Sequence, residues 1–225
     1  MSVSENAVHI RKKIADACRR SGRDADKVKI IAVTKYVSLE TTKAALEAGI
    51  QHIGENRQEG FLEKKKRIGE QAIWHFIGTL QSRKVKEVIN DVDYIHSLDR
   101  LSLAKEIDKR AEHCVRCFVQ VNVSGEESKH GIAEEDAVSF IEQLADFESI
   151  EIVGLMTMAP LTKDNEAIRS NFRRLRTLRD TIARKNWKHA PCHELSMGMS
   201  NDYEIAVEEG ATFVRIGTAL VGKEL

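Results

Sequence analysis

A chain of 225 residues, 42% hydrophobic and 31% charged, is long enough for one well-buried core and short for two independent domains. Its 35 Lys and Arg balance its 35 Asp and Glu, so no overall field favours nucleic acid or an anionic membrane surface, and a charged ligand must be held by local geometry. Neither the opening MSVSENAVHIRKK nor any later run has the apolar length of a signal peptide or of the ~20 residues that span a bilayer, so a single cytoplasmic domain over residues 1–225 is expected.

After an opening helix near residues 4 to 20, short β-rich runs alternate with 3.6-period segments along the whole chain. The strand candidates are IIAVTKY (30–36), QHIGEN (51–56), IWHFIG (73–78), YIHSL (94–98), CFVQVNV (117–123), IVGLMTM (152–158), HELSMG (193–198) and FVRIGT (213–218). Cys114 and Cys117 form a C-x-x-C beside His113, and Cys192 with His193 offers further ligands. A structural zinc site usually needs a second pair at similar spacing, so the four cysteines are read as reduced thiols and no metal is expected. The clearest helix is 164–185, where Ile168, Phe172, Leu175, Leu178 and Ile182 form an apolar stripe under an arginine-rich face. That face and KKKR at 64–67 read as solvated helix surfaces, because no aromatic residues interleave with either cluster for stacking on bases.

No Pro/Gly/Ser-rich linker divides the chain, and eight strand–helix units imply parallel pairing through crossovers. A doubly wound open sheet would want a glycine-rich first turn. The turn here is KYVSLE, so the expected fold is a single (β/α)8 TIM barrel with an extra N-terminal helix.

The strand ends, where a barrel carries its active face, hold Lys35, Asn56, His75, Gly78, Ser97, Asn122, Met156, Ser196, Arg215 and Thr218, few of which are core fillers. Strands seven and eight run into SMGMSND and RIGTALVG. Gly198 and Gly217 permit close backbone approach, Ser200 and Thr218 offer hydroxyls, and Asn201 or Asp202 starts the next helix, so these loops suit a phosphate. Lys35, opposite that cup, would become nucleophilic if burial and Arg215 depressed its pKa. A nucleophilic lysine facing a phosphate cup fits pyridoxal 5'-phosphate, and a class I aldolase with a phosphorylated substrate needs the same two devices. Arg215 helps separate them, since an arginine against a pyridine nitrogen would leave that nitrogen unprotonated and a poor electron sink.

The segments AVTKYVS, HIGENRQEG, WHFIGTLQSRKVK, HSLDR, VNVSGEESKHGI, GLMTMAP and ELSMGMSNDYEIAVEEGATFVRIGTALVG, in that order from Ile30 to Gly222, closely resemble the pyridoxal phosphate homeostasis proteins, the YggS/PROSC-like family. The resemblance implies a barrel like the N-terminal domain of alanine racemase, with pyridoxal phosphate held as an imine on Lys35. It implies phosphate contacts near Ser196, Ser200, Gly217 and Thr218, pyridine contact by Arg215, and a pocket lined by Asn56, His75 and Met156. It further implies a carrier that supplies the cofactor to apoenzymes without catalysing a reaction of its own. Strand alternation points Tyr36 away from Lys35, and with Leu225 just after the eighth unit the second domain whose tyrosine serves alanine racemase is not expected here. A small amino-acid racemase on the same site is the alternative, a monomer is expected, and Lys129 is a second rim amine.

Overall fold

The Ser2 hydroxyl accepts from the Glu5 N–H while the Glu5 carboxylate accepts from the Ser2 N–H, a reciprocal cap that starts helix α1 at Val3–Ser21. Gly22, at φ 66°, ends it in left-handed backbone. The computed structural model describes residues 1–126 and 130–224, so Lys129 lies outside the described residues.

All eight β-rich runs form parallel strands, most of them shorter than the patterns suggested. In chain order they are β1 (Lys29–Val33), β2 (His52–Glu55), β3 (Ile73–Phe76), β4 (Tyr94–Leu98), β5 (Val115–Asn122), then, after a two-residue β6 (Ile132–Ala133), β7 (Ile150–Met156), β8 (Glu194–Ser196) and β9 (Phe213–Ile216). The order β4-β3-β2-β1-β9-β8-β7-β5 closes on itself through β4–β5 pairing, and β6 pairs with β5. The result is the expected (β/α)8 barrel. Around it, after α1, lie α2 (Leu39–Glu47), α3 (Gln58–Ile68), α4 (Val85–Val88), α5 (Leu101–Arg110), α6 (Ala137–Gln143), α7 (Asn165–Ala183), α8 (Tyr203–Glu208) and α9 (Thr218–Val221).

The main apolar core lies between sheet and helices. The α7 stripe of Ile168, Phe172, Leu175, Leu178 and Ile182 is buried in it, and Asp164 caps that helix by accepting from the N–H groups of Glu166 and Ala167. The arginines on the outer face of α7 are paired: Arg169 with Glu208 and Glu209, Arg173 and Arg176 with Glu209, Arg174 with Glu134 and Arg179 with Asp180. The KKKR cluster departs from its reading as a wholly solvated face, because Lys64 is buried and Lys65 pairs with Glu70.

A separate apolar cluster of Ile31, Phe118, Met156 and Phe213 sits inside the barrel. Cys18, Cys117 and Cys192 are buried free thiols and Cys114 is exposed; burial pushes the Cys192 thiol up to about 12. Among the described residues no group of three or more His, Cys, Asp or Glu could hold a metal, and no helix is long and apolar enough to cross a membrane.

Strand β7 approaches β8 so closely at Gly154 that an added Cβ would lie 2.0 Å from the Glu194 carbonyl oxygen. Neither partner is a flexible side chain end. Gly154→Ala is therefore expected to lower the unfolding free energy by at least about 2 kcal/mol, read as a lower urea midpoint. An unchanged midpoint would show that β7 and β8 can part without cost.

Candidate functional site

The polypeptide leaves β1 under unusual restraint. The Thr34 N–H donates to the Gly54 carbonyl (3.1 Å), and Val37 N–H closes a turn on the Thr34 carbonyl (3.1 Å). Lys64, from α3, donates to that same carbonyl at 2.5 Å and to the Glu55 carboxylate at 2.8 Å, while the Thr34 hydroxyl donates to Glu55 at 2.6 Å. All three side chains are buried, so each polar group is desolvated and answered. Residues 34–37 thus form a turn and not the last third of a strand. Lys35 consequently stands exposed beyond the barrel instead of buried in a strand, and strand alternation does not apply to Tyr36: the Lys35 ammonium lies over the Tyr36 ring, 4.9 Å from its centroid.

Lys35 and Tyr36 line a cleft of about 670 Å³ together with Val33, Gly217, Thr218 and Glu224. Its walls are fixed by backbone chemistry. The Ser200 hydroxyl accepts from the Ala219 N–H (3.3 Å), tying the loop after β8 to the turn after β9. Gly198, at φ +93°, is packed where a Cβ would lie 2.5 Å from Ala206 Cβ, and its carbonyl accepts from the Arg215 N–H (2.9 Å). Asp202 precedes α8 and accepts from the Met199 N–H at 2.5 Å; burial pushes its carboxyl pKa up. On the far wall, the Glu224 carboxylate accepts from the Ser38 N–H (2.6 Å) and from the Ser38 and Thr41 hydroxyls.

Next to this cleft, on β9, Arg215 turns into the barrel interior and is buried. Its guanidinium donates to Ser196 Oγ (2.6 Å) and to the Thr157 carbonyl (2.9 Å), and among the described residues no carboxylate pairs with it. Burial without a counter-ion lowers its pKa to about 10, with Asp202 pulling weakly the other way. Below it the barrel stays polar. Ser196 Oγ lies 2.8 Å from His96 Nδ1, His96 Nε2 lies 2.8 Å from His75 Nδ1, and His75 Nε2 lies 2.9 Å from His52 Nδ1. Burial holds His75 and His96 well below the ordinary histidine range, and burial with Lys29 nearby lowers His52 to about 4.

Lys35, Gly217 and Thr218 therefore share one cleft, Ser200 braces it, and Arg215 and Ser196 form a hydrogen-bonded pair beside it. Met156 lies in the interior cluster, and His75 is fully enclosed on the barrel axis, stacked on Tyr94 at 4.6 Å. Asn56 follows β2 with its Oδ1 buried and unpartnered, held against Gly78 so tightly that a Cβ there would meet the Asn56 carbonyl oxygen at 2.4 Å. Of the strand-end residues, Ser97 is replaced by its neighbour: His96 faces the axis, and alternation puts Ser97 on the other side. Asn122 turns back to its own loop, donating to the Glu126 carbonyl and accepting from Gly125 N–H. His52, His96, Thr157, Glu55 and Lys64 were not among the expected site residues. The signal for the histidines was present: His52, His75 and His96 occupy three successive strands, in QHIGEN, IWHFIG and YIHSL.

A closed parallel barrel with a lysine just past its first strand, and with bracing loops after its last two, defines a class. Residues 7–224 match the family model "Alanine racemase, N-terminal domain". The pyridoxal phosphate homeostasis protein of Aquifex aeolicus is 40% identical over 99% of this chain and 99% of its own length, and that of Pseudomonas aeruginosa 35% over 98% and 95%. Among solved structures, PipY of Synechococcus elongatus with PLP bound superposes with a TM-score of 0.85 at 30% identity, covering 98% of this chain and all (100%) of that one. Alanine racemase from Corynebacterium glutamicum shares the fold at 14% identity and TM-score 0.73, and this chain covers 59% of it. The chain belongs to the alanine racemase N-terminal-domain family and, within it, to the pyridoxal phosphate homeostasis proteins.

Two outcomes follow from the geometry. Lys64→Met leaves the Glu55 carboxylate buried without its cation and frees the Thr34 carbonyl, so a loss of about 3–5 kcal/mol is expected by urea unfolding. A loss under about 1 kcal/mol would show that water reaches Glu55. The second concerns pH: unfolded histidines take protons below about 6.5, whereas the three in the barrel do not, so stability falls with pH. For His52 the slope approaches about 1.4 kcal/mol per pH unit between about pH 6.5 and 4, and His75 and His96, held well below the ordinary range, add to it in the same sense. Unfolding curves taken from about pH 7 to 5 should show it, and a flat profile would mean the imidazoles protonate in place.

Proposed function

We propose that this chain binds pyridoxal 5'-phosphate as an imine on the Lys35 amine and takes part in intracellular pyridoxal phosphate homeostasis, supplying the cofactor to apoenzymes. The observation that carries this reading is that Lys35 shares its cleft with Gly217 and Thr218, next to a buried arginine that has no carboxylate partner among the described residues. A lysine amine can condense with the cofactor's aldehyde, and the loops braced by Ser200 and Ala219 offer hydroxyl and backbone donors for its phosphate. Arg215, a donor with no proton to accept, would face the pyridine nitrogen and keep it unprotonated. Asn56, with its unpartnered buried oxygen, supplies one further acceptor at the pocket wall. His75, Met156 and Ser196 support that pocket from the barrel interior. The relatives' names and the PLP bound to PipY at 30% identity support the same reading.

A carrier in place of an enzyme is supported by the exposure of the Lys35 side, where the neighbouring Tyr36 is 61% exposed and water is not excluded. A racemase needs two acid/base groups held on opposite faces of the reacting carbon, with water excluded.

Purified protein is expected to absorb at roughly 420 nm, the region of the cofactor's imine, and borohydride should fix the cofactor to Lys35. Lys35→Ala should abolish the band and the label. Labelling at another lysine would defeat the assignment, and racemisation of an amino acid that disappears in Lys35→Ala would replace the carrier with an enzyme.

A further inference from the structure

The line of hydrogen bonds beneath Arg215 has a direction, and simple valence fixes it. A guanidinium only donates, so Ser196 Oγ must accept from Arg215 and turn its own proton toward its other partner, His96 Nδ1. His96 then carries its proton on Nε2 and donates it to His75 Nδ1. His75 in turn carries Nε2–H and donates to His52 Nδ1. The three imidazoles are thereby locked as Nε2–H tautomers by an arginine at the other end. The opposite polarity would leave the Ser196 hydroxyl proton without an acceptor in a fully buried place, and such an orphan is costly.

This line runs the depth of the barrel. His52 is the first residue of β2 and lines a cleft of about 360 Å³ at the N-terminal ends of the strands, opposite the Lys35 cleft. The charged groups around it are Lys29 on β1, Arg11 on α1 and Asp26 in the segment before β1, and Lys29 also lies 4.0 Å from Glu194 on β8. From β3 it meets His75, and from β9 the edge of Phe213. Stacking on Tyr94 and Phe118 holds the inner two rings in plane, leaving them little freedom to flip.

We infer that His52, His75 and His96 are positioning residues for the ligand pocket: a one-way hydrogen-bond relay that anchors Arg215 and makes its orientation depend on an acceptor at the barrel's far end. The relay is a property of the protein alone. Its consequence for cofactor retention rests on the reading of the Lys35 cleft as a pyridoxal phosphate site.

Long-range ¹H–¹⁵N NMR of the histidine rings in ligand-free protein tests the relay directly. Wild type should show His75 and His96 as Nε2–H tautomers. His52→Phe, which removes the terminal acceptor, should shift the ring nitrogens of His96, one histidine beyond its direct neighbour. His52→Gln, whose side-chain oxygen can accept, should restore them. An Nδ1–H tautomer at His75 or His96 in wild type, or His96 nitrogens indifferent to His52→Phe, overturns the inference. A second arm uses pyridoxal phosphate itself. His96→Leu strips the acceptor from Ser196 and should weaken retention in equilibrium dialysis about fivefold, the effect of one ordinary hydrogen bond, with Lys35 still labelled by borohydride. Wild-type retention in His96→Leu counts against the relay. Wild-type protein that binds no pyridoxal phosphate overturns the cofactor reading alone, since the tautomers are measured without it.

Discussion

A buried cation with no carboxylate paired to it among the described residues is the constraint from which the rest of this barrel can be understood. Arg215 is held by a hydroxyl and a carbonyl, groups that only partly replace hydration. Its charge therefore stays available to whatever enters the pocket above it, and its donors dictate how Ser196 and the histidines below must orient. Both the electrostatics of the pocket side and the polarity of the barrel axis follow from that one buried guanidinium.

The interior of this barrel differs from a stability core, which would stack Val, Ile and Leu in layers. Here the purely apolar part is four residues, and imidazoles, a phenol and a guanidinium share the axis with them. The burden of stability shifts outward, to the shell between strands and helices, where the α7 stripe and the buried face of α1 lie. That division lets the axis be specialised for a ligand without dissolving the fold.

Much of the architecture was legible because it rests on repeated local signals. Short β-rich runs located all eight strands, and a stripe stepping by three and four located α7 to within about two residues at either end. The site was legible only in part. Strands of three to five residues offer too few alternations to tell which of two neighbours faces inward, so His96 was passed over for Ser97. Burial of Lys64 could not be read from KKKR, since its partner Glu55 lies nine positions earlier and nothing local distinguishes Lys64 from the exposed Lys66 and Arg67. The turn at Thr34 is likewise set by the Lys64 and Glu55 pair and not by local propensity, which is why IIAVTKY reads as one strand when its last residues turn out of the barrel to line a cleft.

Helix α1 grips the end of the chain. Asn6 donates to the Leu220 carbonyl across 214 positions of sequence, and Arg23 donates to the carbonyls of Val207 and Ala211. These contacts lie behind α8 and α9, the elements that back the loops around Thr218 and Ser200. Contacts of such separation carry the entropy cost of closing nearly the whole chain. During synthesis the first helix emerges long before its partners exist and must wait for the last strand. The cleft bounded by Lys35 near one end of the sequence and Gly217 near the other thus comes into being only when the whole barrel has closed, and a chain lacking β9 has no such cleft.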